Sequence, residues 1–202
     1  MNKYVKKMKG AIDTYIAERD KANQQIEKAK KIYAPAFAKP EIDRFEAKKA
    51  EVRNAAGAAI DAAYTEAITA LDKWDDLRGE DVTDDVKLLD TVKITSEEFD
   101  TLVERYKDNA TMSRILYQWG EEKNKNSSVN VPDGDPVYYM TSQVHTAANK
   151  RKAWDHIHES ALSIIQIDRG DNPYMEGWLL EVGKDFGEPN EMTYQFYEMI
   201  GE

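Results

Sequence analysis

The stretch that decides the fold is residues 5–33, VKKMKGAIDTYIAERDKANQQIEKAKKIY. Apolar or long-stemmed residues recur here at alternating steps of three and four, at Val5, Met8, Ile12, Tyr15, Arg19, Ala22, Ile26, Ala29 and Tyr33. This spacing is the heptad pattern of a helix that packs along another helix, and we call the set the heptad seam. We therefore predict one long helix over residues 2–33, about 48 Å in length. Because Arg19 interrupts the seam and two of its positions hold only alanine, the partner helix must come close.

The following segment supplies that partner. Pro35 and Pro40 predict a short connection between them, because proline ends helices and disfavours helical structure in the residue before it. A second helical pattern runs from about 41 to 77, and its centre, residues 55–59, reads Ala-Ala-Gly-Ala-Ala. Such small residues allow two backbones to approach closely. Since a short loop makes sequential helices neighbours, residues 1–77 are predicted to form a long antiparallel, coiled-coil-like helical hairpin.

Shorter helices are predicted after the hairpin. Thr95 and Glu98 form a capping box with Ile94 and Phe99 as its hydrophobic staple, so a helix should begin at Ser96. Further helical patterns cover residues 84–92, the stretch after 109, residues 137–167 and two amphipathic pieces around 178–186 and 192–200. Polar residues 121–136 read as a loop, and residues 128–131 or 137–140 could form a small β-hairpin. The chain is thus predicted to be all-α, with a hairpin (1–77), a short-helix segment (78–124) and a C-terminal helical segment (125–202).

Composition restricts the classes of function. The absence of cysteine excludes disulfides, thiolate metal sites and a cysteine nucleophile. Residues 1–10 are basic but no apolar run follows them, which argues against a secretory signal. Residues 1–53 carry 14 Lys and Arg against 8 Asp and Glu, whereas the remainder carries 14 against 30. Such a basic head on an acidic body can steer assembly, with the head of one copy meeting the body of another, although it also fits two solvated helical faces.

Signals for catalysis are weak. No phosphate-binding loop, dinucleotide fingerprint or nucleophile elbow occurs in the sequence. The three histidines, His145, His156 and His158, lack the i, i+4 spacing of a helical zinc pair. The acidic stretch 75–85 lacks the glycine spacing of a calcium loop, and a solvated acidic loop or a docking patch for a basic partner helix suits it better. We therefore expect no catalytic residues, no metal site and no cofactor, while a metal-dependent enzyme that uses Asp75 and Asp76 stays open as a third hypothesis.

A second hypothesis is DNA binding. Residues 96–119 read as a helix-turn-helix, in which the second helix, Thr-Met-Ser-Arg-Ile-Leu, would direct Ser113 and Arg114 outward. Against this interpretation, Tyr106 stands where the motif usually has glycine. The surroundings are acidic, whereas DNA binding depends on Lys and Arg that neutralise phosphates. A plain helical hairpin is the simpler interpretation, and nucleic acid is not the expected partner.

A resemblance covers the same stretch. Residues 94–119, ITSEEFDTLVERYKDNATMSRILYQW, resemble segments of uncharacterised proteins of tailed phages and prophages of Gram-positive bacteria. Those proteins are typically encoded among head and structural genes. The resemblance implies a virion or head-assembly protein and carries over no catalytic residue. It would place the chain in the host cytoplasm during assembly or in the virion.

The first hypothesis is therefore a non-enzymatic structural or assembly protein that binds other proteins, for example phage capsid proteins, or further copies of itself. Its helical hairpin would mediate the contact. The residues predicted to pack against a partner are the apolar members of the heptad seam, Val5, Met8, Ile12, Tyr15, Ile26 and Tyr33. The residues predicted to dock electrostatically are Lys3, Lys6, Lys7, Lys9, Lys28, Lys30 and Lys31.

Overall fold

The structure is a computed structural model that describes residues 2–127, 137–166 and 199–200. The described part of the chain contains α-helices and two single 3₁₀ turns but no strand, which confirms the predicted all-α class. The helices are α1 (Lys3–Ile32), α2 (Pro35–Trp74), α3 (Val86–Thr91), α4 (Ser96–Arg105), α5 (Ala110–Ser127) and α6 (Ala147–Gln166). The amphipathic pieces predicted near 178–186 and 192–200, and the strand predicted at 128–131, lie outside the described residues or almost wholly so. None of the described helices is both long and apolar enough to cross a membrane.

Two compact units divide the chain. One, the hairpin unit, comprises Met1–Ala67 and the chain from Trp154 onward, and the other, the central unit, comprises Ile68–Ala153. The sequence predicts three consecutive segments instead. The difference arises because the later half of α6 packs with the hairpin, so that chain segments distant in sequence share one core.

The hairpin unit is built from α1 and α2, which pack against each other as predicted. The side chain of Asn2 caps α1 by accepting a hydrogen bond from the Tyr4 amide at 3.0 Å. Gly57 leaves space for the later half of α6, since a Cβ atom built there would lie 3.6 Å from Ile165 Cδ1. Tyr4 packs edge-on against Trp154, with ring centroids 5.9 Å apart. At the centre of α2, Ala56 is buried and Gly57 faces α6, whereas Ala55, Ala58 and Ala59 are exposed, so only part of the predicted small-residue stretch packs against another helix.

The connection between α1 and α2 is shorter than predicted. Only Tyr33 and Ala34 separate the helices, and Pro35 is the first residue of α2. Proline is well tolerated there, because the amide of the first helical residue has no partner within the helix. Pro40 lies inside α2, near its start. The prediction that the two prolines bracket a loop is therefore wrong, because a proline this close to a helix end costs one backbone hydrogen bond without ending the helix.

The central unit has a core made of short helices. Its cluster of buried side chains consists of Leu89, Ile94, Phe99, Leu102, Val103, Leu116, Tyr139 and Val144. The capping box of α4 is present as predicted: the Glu98 amide donates to Thr95 Oγ1, and the Glu98 carboxylate accepts from the Thr95 amide at 2.8 Å. Hydrogen bonds from the Thr95 backbone and hydroxyl lower the pKa of Glu98. The capping box thus fixes where the first of the paired helices α4 and α5 begins.

Residues 137–146 are not α-helical, contrary to the prediction of a helix from 137 to 167, and contain only a 3₁₀ turn at Thr141–Gln143. The Asn124 side chain bonds both the amide (2.9 Å) and the carbonyl (2.8 Å) of Tyr139. Asn149 donates to the carbonyls of Thr141 and Val144 at 3.0 and 2.8 Å. Because these side chains satisfy backbone groups of the segment, it does not need the hydrogen bonds of an α-helix, and α6 begins only at Ala147.

Candidate functional site

The heptad seam is buried within the hairpin unit. Five of the six apolar side chains expected to meet a partner are at most 5% exposed, namely Val5, Met8, Ile12, Tyr15 and Ile26. The chain's own helices cover them, and a partner could reach them only if those helices separated. This corrects the expectation that the whole seam offers a docking surface. Tyr33 is the exception, because its side chain is 50% exposed.

Tyr33 belongs to an exposed apolar group at the end of the hairpin. We define the hairpin tip as residues 28–39. Within it the large apolar side chains Ile32, Tyr33 and Phe37 are 63%, 50% and 74% exposed. The same twelve residues contain no Asp or Glu but four lysines, Lys28, Lys30, Lys31 and Lys39, all exposed. Large exposed apolar side chains that lie this close together in the chain are a candidate interaction site.

Backbone hydrogen bonds hold the hairpin tip in one conformation. The Tyr33 amide donates to the Ala29 carbonyl at 3.1 Å and closes the last turn of α1. The Phe37 and Ala38 amides both donate to the Ala34 carbonyl, at 2.9 and 3.0 Å, and form the first turn of α2. The exposed side chains are thus presented by two helix ends, so binding requires little ordering of the backbone.

The basic residues predicted to dock form two separate groups. Lys3, Lys6, Lys7 and Lys9 lie at the start of α1, where Lys7 pairs with Glu66 and Lys9 with Asp13 at 2.7 Å. Lys28, Lys30 and Lys31 lie at the other end of the helix, where Lys30 pairs with Glu27 at 2.8 Å. Nineteen residues of helix between Lys9 and Lys28 correspond to about 29 Å. Only the second group adjoins the exposed apolar side chains, so the structure does not unite the predicted basic set.

The acidic stretch 75–85, which we call the acidic loop, combines charge with exposed apolar surface. It contains six carboxylates and one arginine. Its large apolar side chains Leu77 and Val82 are 51% and 44% exposed. The sequence indicates the acidic character of this stretch, whereas the exposure of Leu77 and Val82 is visible only in the structure.

The start of α5 holds the acidic loop in place. The Arg78 amide donates to Thr111 Oγ1 at 3.1 Å, and the Thr111 hydroxyl lies 3.3 Å from the Arg78 carbonyl. Asn109 donates to the Asp81 carbonyl at 2.8 Å. Asn109 and Thr111 thus supply the hydrogen-bond partners that backbone groups would have in a helix or a strand. The loop is therefore ordered although it contains only a single 3₁₀ turn, Gly79–Asp81.

Two further contacts fix the carboxylates at the ends of the acidic loop. Arg114 donates to Asp75 at 2.6 Å. The Tyr106 hydroxyl donates to Asp85 at 2.6 Å and Arg105 donates to it at 2.7 Å, and these bonds, the tyrosine's first, lower the pKa of Asp85. Asp85 therefore keeps its negative charge down to lower pH than an isolated aspartate.

One of the two residues that the helix-turn-helix interpretation assigns to DNA contact is buried. Ser113 is 1% exposed, and its hydroxyl donates to the Tyr106 carbonyl at 2.9 Å. Its predicted outward position is wrong, because the serine faces the turn between α4 and α5. Arg114 is partly exposed, but it is paired with Asp75. A phosphate would have to compete with that carboxylate for the guanidinium.

Among the described residues, no group of three or more histidine or acidic side chains is arranged to hold a metal ion. His158 instead stacks on Tyr64, with centroids 4.3 Å apart, and its Nε2 lies 2.7 Å from Asp61 Oδ1. The Tyr64 hydroxyl bonds Asp155. These contacts join α2 to α6 within the hairpin unit. Asp75 and Asp76, the acids of the metal-enzyme hypothesis, both lie near arginines, with Asp76 3.9 Å from Arg78.

Sequence reasoning missed Lys150, which is 8% exposed in the central unit. Its ammonium lies 3.7 Å from the centroid of the Trp74 ring and 3.3 Å from the Lys107 carbonyl. Burial lowers its pKa to about 8, and the charge of Asp108 opposes the shift. A lysine three residues into α6 resembles a solvated side chain in sequence, and only the packing of Trp74 over it reveals the burial. Its contact with Trp74 links the end of α2 to the start of α6, so we assign Lys150 a structural role.

Among the described residues, the hairpin tip and the acidic loop thus each combine exposed apolar side chains with charges of mainly one sign. Comparisons with protein families, with curated proteins and with solved structures each find no match to this chain.

Proposed function

We propose that this chain is a non-enzymatic assembly protein that binds other proteins through the hairpin tip. The observation that carries the proposal is the contrast along the heptad seam. Its apolar members are buried from Val5 to Ala29, whereas Tyr33 and its neighbours Ile32 and Phe37 are exposed. Burial along the seam stabilises the hairpin, and the remaining apolar surface at its end supplies the free energy of binding.

The lysines of the tip favour a partner with an acidic surface. Four positive charges beside aromatic and aliphatic side chains would steer an acidic partner to the tip and exclude basic ones. The apolar side chains would then form the centre of the interface and the lysines its rim. Because rim charges are screened by salt, binding should weaken as ionic strength rises.

The resemblance of residues 94–119 to tailed-phage proteins supports a protein of the phage head as the partner class. A rigid hairpin with an apolar end suits a protein that bridges components of a shell. Within the described residues the structure offers no competing cluster of metal-binding side chains.

The test is co-sedimentation with phage head shells assembled from the genome that encodes the chain. The wild-type chain should sediment with shells at low salt and be released at high salt. A tip variant, Ile32→Ser with Phe37→Ser, should stay in the supernatant. The matched control is Leu88→Ser with Val92→Ser, which removes two exposed apolar side chains from the central unit and should bind like the wild type. Equal binding by the tip variant and the wild type would refute the proposal.

A further inference from the structure

We infer that the hairpin tip of one copy docks on the acidic loop of a second copy, so that the chains associate head to tail. This inference rests on the proposed function, because it names a partner for the same tip. Three features of the two segments support it, namely their charge, their exposed apolar side chains and their order.

Charge is the first feature. The tip carries four lysines and no acid over twelve residues, and the acidic loop carries six acids and one arginine over eleven. Nearly all charges within each segment have one sign, opposite in the two segments. Two of the tip lysines and four of the loop carboxylates also form ion pairs within the chain, namely Lys30, Lys39, Asp75, Asp76, Asp84 and Asp85. Contact between two tips or between two loops would bring like charges together, so the complementary contact joins a tip to a loop.

Exposed apolar side chains are the second feature, because charge alone would give only a weak, salt-sensitive attraction. The tip presents Ile32, Tyr33 and Phe37, and the loop presents Leu77 and Val82. A tip-to-loop contact would remove all five from water. An aromatic and aliphatic centre within a charged rim is the usual arrangement of a protein interface.

Order is the third feature. Backbone hydrogen bonds fix the tip at the ends of α1 and α2, and Thr111 and Asn109 fix the loop from α5. Neither segment has to fold in order to bind. The entropy lost on association is therefore mainly that of the side chains and of the second molecule.

A head-to-tail contact between identical chains joins two different surfaces, so it generates a ring if the series of copies closes and a filament if it does not.

The experiment is sedimentation velocity on the purified full chain at about 50 mM and about 500 mM salt, where screening differs several-fold. The wild-type chain should form oligomers that grow with concentration at low salt and dissociate at high salt. Two variants block one side each: Ile32→Ser with Phe37→Ser blocks the tip, and Leu77→Ser with Val82→Ser blocks the loop. Each alone should weaken self-association about tenfold or more. All four side chains are exposed, and unchanged circular dichroism confirms that the variants fold.

The decisive step is to mix the two variants. The tip-blocked chain keeps an intact loop and the loop-blocked chain keeps an intact tip, so the mixture should form a one-to-one dimer that grows no further. The control pair Leu88→Ser with Val92→Ser should associate like the wild type. A mixture that remains monomeric, or a loop-blocked variant that oligomerises like the wild type, would overturn the inference.

Two other outcomes separate this inference from the proposed function. The wild-type chain could be monomeric at both salt concentrations and still bind head shells through its tip. That result would refute the contact with a second copy without contradicting the proposed function. A monomeric chain whose tip instead binds vesicles of anionic phospholipid, and not shells, would overturn both.

Discussion

In the hairpin unit, the buried side chains recur along two long helices and are mostly aliphatic or alanine. In the central unit, short helices surround three aromatic rings, Phe99, Trp119 and Tyr139, whose centroids lie 4.8 to 5.9 Å apart. Asparagine side chains bond the backbone of the segment that carries Tyr139. Long helices need only a narrow apolar stripe, because contacts accumulate along their length. Short helices have few turns to pack, so large rings and specific hydrogen bonds must replace that length.

The largest effect should come from removing a ring in the central unit. Phe99→Ala is expected to lower the free energy of unfolding by about 3–5 kcal/mol, because Phe99 is 0% exposed and packs against both other rings. Phe37→Ala in the hairpin tip should change it by less than about 0.5 kcal/mol, since Phe37 is 74% exposed. Urea denaturation followed by circular dichroism measures both. A loss below about 1 kcal/mol for Phe99→Ala would show that the rings are not the centre of this core.

The next prediction concerns the buried ammonium of Lys150 and its effect on the stability of the central unit. The folded-state pKa, about 8, lies below the ordinary 10.5, so between those values the unfolded chain binds more protons than the folded chain. The free energy of unfolding should therefore increase as the pH is raised from about 8 towards 10.5. Below about pH 8 the ammonium is charged in the folded state as well, and the burial of that charge lowers the free energy of unfolding. The difference between the two pKa values corresponds to roughly 3 kcal/mol.

The variant Lys150→Met should accordingly be more stable than the wild type at pH 7, and it should lose the rise in stability between pH 8 and 10.5. Urea denaturation at four pH values checks this, with the exposed Lys152→Met as control. If Lys150→Met were less stable at pH 7, the contact between the ammonium and the Trp74 ring would outweigh the cost of burial.

A pair of glycine variants compares packing density in the two units. In the central unit, a Cβ atom at Gly120 would lie 2.7 Å from Thr141 Cγ2 and 3.2 Å from Phe99 Cζ. Gly120→Ala should therefore destabilise the chain by about 1–3 kcal/mol through overpacking. In the hairpin unit, the nearest atom to a Cβ at Gly57 is 3.6 Å away, an ordinary contact. Gly57→Ala should stabilise by about 0.5–1 kcal/mol, because alanine favours the helix.

Thermal unfolding of the two glycine variants should show shifts of the midpoint in opposite directions. Shifts of the same sign would contradict the difference in packing density between the two units.

The smallest effect should come from an ion pair on the surface of the hairpin. Lys7 and Glu66 link α1 to α2, but both side chains are 52% exposed. A double-mutant cycle with Lys7→Ala and Glu66→Ala should give a coupling of about 0.2–1 kcal/mol that salt reduces. A coupling above about 2 kcal/mol would mean that the hairpin depends on specific polar contacts as strongly as the central unit does.

Much of the fold could be predicted because its signals are local. The step of three and four residues from Val5 to Ala29 predicts the buried face of α1, and the capping box at Thr95 and Glu98 predicts the start of α4. Both patterns depend on residues within two helical turns. The alanine-rich centre of α2 predicts close packing against α1, but the neighbour of Gly57 is Ile165 of α6 at an ordinary contact distance.

The candidate site was harder to predict, because exposure is decided by distant residues. Tyr33 continues the heptad pattern of Ile26, yet Ile26 is buried and Tyr33 is exposed. Ser113 reads as an outward residue, but the turn at Tyr106 covers it. Phe37 lies between two prolines in a stretch that reads as a loop, so its place on an ordered helix end was not apparent.

The sequence by itself determined the all-α class, the long hairpin, the capped start of α4 and the division of charge between a basic beginning and an acidic remainder. Periodicity, capping and charge are properties of neighbouring residues, and they act before any distant contact forms. Only the tertiary structure decided that the later half of α6 joins the hairpin, that Asn124 and Asn149 bond the backbone of residues 137–146 outside any α-helix, and that Lys150 is buried beneath Trp74. These outcomes depend on residues far apart in the chain, because a periodic pattern shows that a face is apolar but does not show what covers it.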